Sequence, residues 1–187
     1  MITPDGKSFK EAAVAVKKLA QQAPKVVNRA FKRTGQRVQT AAVQEVRKEY
    51  IIRAGDVRKY GNLRLTQKND ELIFRSSGRN IPLIKFKTTP NRVVTRRPKV
   101  LKAAVKRNGD KKPISGAFVQ QMRNGNNGVY RRKGKPKLPI GQLYSPGVPI
   151  MLNSAKIRDK LEDEMTKKLE QRLEHEMVRV MKGVGFK

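Results

Sequence analysis

Positive charge is the feature of this sequence that most limits how the chain can fold. The 187 residues include 44 Lys and Arg against 15 Asp and Glu, a formal net charge of +29. Mutual repulsion at this charge opposes compaction unless a polyanion, an acidic partner or counterions offset it. The charge is also uneven, because residues 1–152 carry 35 basic and 8 acidic side chains, whereas residues 153–187 carry 9 and 7. The sequence therefore predicts a dense cation followed by a nearly neutral C-terminal segment.

The apolar content predicts one domain with a modest core. Hydrophobic residues make up 37% of the chain, aromatic residues only 5%, and Trp is absent. A chain of this length is sufficient for one ordinary domain. We therefore expect a single domain over residues 1–187, with a core of Val, Ile, Leu and Ala.

Residues 1–52 have the pattern of a helical N-terminal part. Ser8 and Glu11 have the spacing of a capping box at a helix start. Apolar residues then recur at helical spacing towards Tyr50. Pro24 interrupts this pattern, and an internal proline ends or kinks a helix. We therefore expect two helical segments that meet at Pro24.

Residues 153–183 are predicted to form a long C-terminal helix, which Asn153 and Ser154 can cap. Its apolar residues recur every fourth position, and such a stripe drifts by about 40° at each step. The stripe consists of Ile157, Leu161, Met165, Leu169, Leu173 and Met177. Because of the drift, one face cannot hold all of it against one straight partner. Either the helix wraps obliquely over a sheet, or its two ends face different partners.

Residues 60–150 have the pattern of a β-rich, basic part. Two short apolar runs flank a plausible tight turn at Asn69-Asp70, and Ile81–Phe86 is a further extended candidate. The run from Val100 to Val105 follows Pro98 within a stretch rich in Lys and Arg, so it is either a partly exposed strand or part of an extended arm.

The second half of this part predicts a hairpin and a connector. The pattern predicts two hairpin strands, at residues 117–122 and 129–132, joined by a long flexible tip at residues 123–128. Four prolines then predict an extended connector. They are Pro136, Pro139, Pro146 and Pro149.

The residues needed for catalysis or metal binding are scarce. The chain has no Cys and a single His, His175, within a charged helix. Carboxylates outside the last helix are few and scattered, whereas acid–base and metal catalysis need groups that converge. We therefore expect no enzyme, no metal and no cofactor. No apolar stretch approaches the length of a membrane span and residues 1–5 do not begin a signal peptide, so we expect no membrane contact and a host cytoplasmic location during assembly.

Two basic clusters are the candidate contact sites. They are dense enough to neutralise phosphates, but no aromatic platform or base-reading motif accompanies them. Three interpretations stay open: contact with a DNA backbone, contact with an acidic protein, and a solvated surface. The candidate contact residues are Arg92, Arg96, Arg97, Lys99, Lys102, Lys106, Arg107, Arg131, Arg132 and Lys133.

A series of sequence blocks, in order, resembles the phage minor tail protein Z family, the tail completion proteins of long-tailed phages. The blocks are Asn28-Arg29-Ala30, residues 75–78, residues 81–86, residues 114–125, residues 129–132, residues 138–140, Val148-Pro149 and the closing helix. The resemblance spans nearly the whole chain and is most specific from Ile114 to Leu152. Ser115 departs from the family pattern, which more typically has Pro at that position.

Within the motif, the resemblance assigns structural roles. Gly116 and Gly125 would form turns, Phe118 and Ile140 would belong to the core, and the prolines would set the chain direction. The motif residues are Gly116, Phe118, Gly125, Pro139, Ile140 and Pro149.

The resemblance implies a structural virion protein that completes the head-proximal end of the tail at the head–tail joint, or neck. Tail symmetry implies a homo-hexameric ring. The expected partners are other tail and neck proteins, namely a tail terminator, tail tube, tape measure or connector, together with the genomic DNA backbone. The alternative function is a sequence-independent nucleic-acid-binding protein of the ribosomal or nucleoid type. The predicted fold class is α+β: N-terminal helices and a long C-terminal helix on a small, mostly antiparallel sheet, with an extended basic arm or hairpin.

Overall fold

The computed structural model describes residues 6–68, 71–94 and 100–184, with side chains from residue 14 to residue 183 of those ranges. Four α-helices and ten short strands lie within them. The helices are α1 (Gly6–Glu49), α2 (Ala54–Gly61), α3 (Val148–Leu152) and α4 (Ala155–Val184). The strands are β1 (Leu63–Lys68), β2 (Glu71–Ser76), β3 (Ile81–Pro82), β4 (Lys87–Thr89), β5 (Leu101–Ala104), β6 (Lys112–Ile114), β7 (Ala117–Gln121), β8 (Asn127–Arg132), β9 (Ile140–Gln142) and β10 (Tyr144–Ser145). Terminal helices and antiparallel pairs confirm the predicted α+β class.

The N-terminal helix is continuous, so the prediction of two segments is wrong. Helix α1 runs through Pro24 and begins at Gly6, before the predicted capping box at Ser8. Pro24 cannot donate to the carbonyl of Ala20, but both residues are exposed, so that carbonyl reaches water. Good helix formers such as Ala, Gln and Lys on both sides favour continuation.

The chain divides into two compact units, each assembled from separate segments. Unit 1 comprises residues 1–38, 67–73 and 160–187, and unit 2 comprises residues 39–66 and 74–159. The single domain expected over the whole chain stays a prediction.

Unit 1 buries one face of α1. The buried side chains recur three and four residues apart, as a helix requires when one face packs against a neighbour. They are Val26, Ala30, Phe31, Thr34 and Val38. The drifting stripe of α4 behaves as its spacing predicts, since Leu161 is buried, Leu169 is half-buried and Met177 is exposed.

A buried carboxylate is the exceptional polar group of unit 1. Glu176 is fully buried, and Arg33 Nη1 lies 2.9 Å from its Oε1. Among the described residues, neither oxygen of Glu176 accepts a hydrogen bond of good geometry. Desolvation of a carboxylate costs several kcal/mol, and a single cation whose side chain is 46% exposed offsets it only in part.

Glu176→Met is expected to raise the free energy of unfolding, by about 1–4 kcal/mol, because it removes the desolvation cost and fills the same volume. Arg33→Met is expected to lower it by about 3 kcal/mol, because the carboxylate stays buried without its cation. Urea denaturation of both variants measures the difference, with the exposed Asp163→Asn as the control. Destabilisation by Glu176→Met would contradict this account.

Unit 2 contains two three-stranded antiparallel sheets, in the orders β4-β5-β6 and β7-β8-β9. Its main core cluster consists of Leu83, Leu101, Ala103, Val119 and Val129. Because Leu101 is fully buried, β5 is a core strand, which decides between the two interpretations of that run. The tip of the predicted arm, residues 95–99, lies outside the described residues, so the arm stays a prediction.

Two extended predictions in unit 2 need correction. Only Ile81 and Pro82 are a strand, and the rest of that run forms a 3₁₀ turn at Leu83–Lys85. The proline-rich connector contains β9, β10 and the short helix α3, which Pro149 can begin because its missing N–H falls among the unbonded first-turn groups.

The predicted hairpin is confirmed. Five residue pairs join β7 to β8, including Val119 with Val129 and Phe118 with Tyr130. Gly116 and Gly125 have positive φ angles of 69° and 76°, which glycine adopts without strain. Phe118 and Ile140, expected in the core, are only half-buried. The reason is the alternation of strand faces, which turns Val119 towards the core cluster and Phe118 the other way.

Candidate functional site

Unit 2 contains a cleft of about 840 Å³. The loop before α2, the helix α2, the start of β4 and the tip of the β7–β8 hairpin enclose it. Buried side chains of Ile52, Phe86 and Tyr130 line its inner part. The rest of its lining is mostly polar, which suits a charged or polar ligand.

Five cations and one carboxylate line the cleft. The carboxylate of Asp56 lies 3.8 Å from Lys85 Nζ, so this pair is neutralised locally. The other four, which we call the cleft cations, have no ion pair with a carboxylate among the described residues. The cleft cations are Arg53, Lys59, Lys87 and Arg107. Like charges inside a concave, low-dielectric wall concentrate a positive potential that attracts anions.

Arg107 is held in place by the end of α1. Its backbone N–H donates to the carbonyl of Glu49 at 2.9 Å, and its Nε donates to the carbonyl of Arg47 at 2.6 Å. No acceptor among the described residues bonds the two terminal nitrogens of Arg107. Fixed at its base, this guanidinium can present a two-donor edge to an oxyanion.

Tyr50 adds no negative charge beside this arginine. Its backbone forms a bridge with Lys106, the residue before Arg107. Burial, and secondarily the charge of Glu49, raises the pKa of Tyr50 above 10.0. The phenol is therefore neutral at physiological pH. Glu49 itself forms an ion pair with Lys156.

The hairpin tip contributes amides to the opposite wall. Gly125 N–H donates to the carbonyl of Met122 at 2.9 Å, and the N–H of Asn126 donates to Asn124 Oδ1 at 3.1 Å. These bonds fix the tip with the side chains of Asn124, Asn126 and Asn127 lining the cleft. Amide donors beside cations suit a phosphate, which accepts hydrogen bonds from both.

The structure brings only part of the predicted contact set to the cleft. Arg107 lines it, whereas Arg92, Lys102 and Lys106 are exposed elsewhere in unit 2. Arg131, Arg132 and Lys133 are also exposed, at the end of β8 and just after it, and the Arg132 guanidinium lies 5.6 Å from the centre of the Phe118 ring. Arg96, Arg97 and Lys99 lie outside the described residues.

Sequence reasoning missed three of the four cleft cations as contact residues. Lys87 falls within the basic run from residue 85 to residue 112, so density alone could have included it. Arg53 and Lys59 have no such signal, because they flank or occupy the short helix α2, far from the basic runs in sequence. Only the tertiary packing of unit 2 places them in the cleft.

Comparison with known families decides the class of protein. The family model described as prophage minor tail protein Z (GPZ) matches residues 7–183. The chain belongs to this family. As a minor tail protein Z family member it is a structural component of a phage tail, and its place is in the virion. Neither a curated protein nor a solved structure matched the chain.

The family is structural, which favours a role other than catalysis for this minor tail protein Z member. Within residues 6–68, 71–94 and 100–184, no three His, Asp or Glu side chains come together as metal ligands would. No helix in the described part of the chain is both long and apolar enough to cross a membrane.

Proposed function

We propose that this protein completes the head-proximal end of the tail at the head–tail joint, as a hexameric ring whose basic clefts contact the DNA backbone. The family supports the tail role, and the unpaired cations support the contact. In this proposal the protein binds DNA at the joint through its phosphates, without sequence preference.

The observation that carries the DNA contact is the excess of cations in one cleft. Four positive side chains and the amides of a fixed hairpin tip surround a space with a single carboxylate, which Lys85 already neutralises. Such a cleft attracts anions, and a polyanion is the class of partner that offsets several of these charges at once. DNA is the polyanion that passes the head–tail joint. Acidic surfaces of the tail tube or connector are the competing anions.

The ring and its position are tested by mass and by location. We expect light scattering in high salt, after nuclease treatment, to give a defined ring mass, either for the free protein or once tail tube is added. Gold label on a tagged copy is expected at the head-proximal end of the tails in electron micrographs. Particles assembled without the protein are expected to form heads and tails that are not infectious, and added protein is expected to restore the titre.

Two results would contradict the proposed function. A persistent monomer that ignores the tail tube and copurifies with cellular RNA would support the alternative, a general nucleic-acid-binding protein. Label at the distal end of the tail would contradict the proposed position, although the family membership would stand.

A further inference from the structure

The apolar stripe of α1 continues beyond the part of unit 1 that buries it. At 100° per residue, Val16 and Ala23 lie on the same helix face as the buried Ala30 and Thr34. Val16 is nevertheless 60% exposed, and no residue from 14 to 25 is buried. Leu19, on the same face, is half-buried, so this part of the stripe is at most partly covered within the described chain.

The described part of α4, which reaches Val184, does not extend far enough to cover this part of the stripe. Arg33 contacts Glu176, and Arg37, one turn later, lines a cavity with Lys168 and Arg172, so the two helices run in opposite directions. With equal rise per residue, the end of α4 at Val184 falls level with about residue 25 of α1. The first described buried residue of α1 is Val26, in agreement.

About five turns of α1 thus extend past α4, and we call residues 6–24 the overhang. An isolated helix of this length is only marginally stable in water. An amphipathic helix gains most of its stability from packing its apolar face. The overhang therefore fits a protein partner.

The outer face of α4 presents the matching surface within the same unit. Met177, Val178 and Met181 are exposed there, with Met177 at 55%. Glu170 and Glu174 are exposed on the same side of the helix, one to two turns earlier. The result is an apolar patch bordered by carboxylates.

Charge identifies the occupant. Two copies at +29 repel each other over most of their surfaces, but residues 153–187 are nearly balanced, with 9 basic and 7 acidic side chains, so repulsion is weakest there. The overhang presents the exposed cations Lys17 and Lys18 beside its stripe. A second copy therefore meets the least repulsion where its overhang approaches α4.

We infer that the overhang of one copy packs on the outer face of α4 of the next copy, with Val16 and Leu19 against Met177 and Met181. The contact joins two different patches, so it repeats head to tail and closes into a ring when the rotation allows. This inference deepens the ring of the proposed function and rests on it only for closure.

The absence of Cys from the sequence permits a direct test. Val16→Cys and Met177→Cys are made as separate proteins, mixed, and treated with a mild oxidant, both free and in purified tails. A disulfide needs Cβ atoms within about 4.5 Å of each other. We expect a linked dimer in the mixture and none in either variant alone. Val14→Cys is the matched control, because it is 53% exposed but lies on the opposite face of α1.

Three results would overturn the inference: no link in the mixture in either setting, linking of Val16→Cys to itself, or equal linking of Val14→Cys. The failure of the proposed function looks different. If the mixture links as expected but the protein is absent from the head-proximal end of tails, the interface holds and the position is wrong. If the protein is present at the head-proximal end of tails but the two variants do not link, the position holds and the interface is wrong.

Discussion

Replacing all four cleft cations by Gln is expected to lower the affinity for duplex DNA by roughly a thousand-fold at 0.1 M salt, if each cation contacts one phosphate. The slope of log affinity against log salt is expected to fall by about 0.9 for each lost contact. The physical reason is that every phosphate neutralised by a side chain releases counterions into the solution. Fluorescence anisotropy with labelled duplexes of two unrelated sequences, over a series of salt concentrations, measures both quantities.

A matched control separates the cleft from net charge. It removes the same charge from exposed helix positions in unit 1, and we expect it to change affinity and slope far less. The control substitutions are Lys25→Gln, Arg29→Gln, Lys32→Gln and Lys167→Gln.

Equal losses in the two variants would mean that bulk charge, and not the cleft, binds DNA. If the wild-type protein binds neither duplex even in low salt, the DNA contact is wrong. Loss of tail-tube binding in the cleft variant would then assign the cleft to an acidic protein.

Gly78→Ala is expected to have the largest effect on stability, a loss of more than about 4 kcal/mol or failure of unit 2 to fold. A Cβ at this position would lie 1.7 Å from the carbonyl oxygen of Tyr60 and 3.0 Å from the Cα of Gly61. Both contacts are with backbone at the end of α2, so no rotamer change relieves them. Urea denaturation followed by circular dichroism measures the loss.

Gly55→Ala, within α2, is the control. An added Cβ there meets nothing within 4 Å. Because Ala is favoured over Gly within a helix by up to about 1 kcal/mol, this variant is expected to be as stable as wild type or slightly more stable. A Gly78→Ala protein with unchanged stability would show that α2 does not approach residue 78 as described.

Loss of DNA affinity in Gly78→Ala would follow from loss of the fold, since α2 carries Lys59 and follows Arg53. The two predictions therefore need to be measured in order. Only variants with the wild-type denaturation midpoint inform on the cleft.

Local patterns predicted the elements whose cause is local. The spacing of apolar residues located α4 and its drifting stripe, and alternation with a central Asn-Gly sequence located the β7–β8 hairpin. The same reasoning failed at Pro24. One proline destabilises a helix by a limited amount, and the neighbouring helix formers and the packing of α1 stabilise the whole helix against that loss. The core role of Phe118 came from the family resemblance, and strand alternation alone does not say which face of a strand is buried.

The sequence by itself determined the uneven charge, the α+β class and the membership of a phage tail family, because composition, periodicity and motif order are properties of contiguous residues. Only the tertiary structure decided which cations meet. Arg53 and Lys59 line the same cleft as Lys87 and Arg107 because distant segments pack together. Burial of apolar faces drives that packing. The spacing of the charged residues in the sequence therefore gives no sign that they meet. The same holds for Glu176, which is buried by the position of its helix and not by any signal around it.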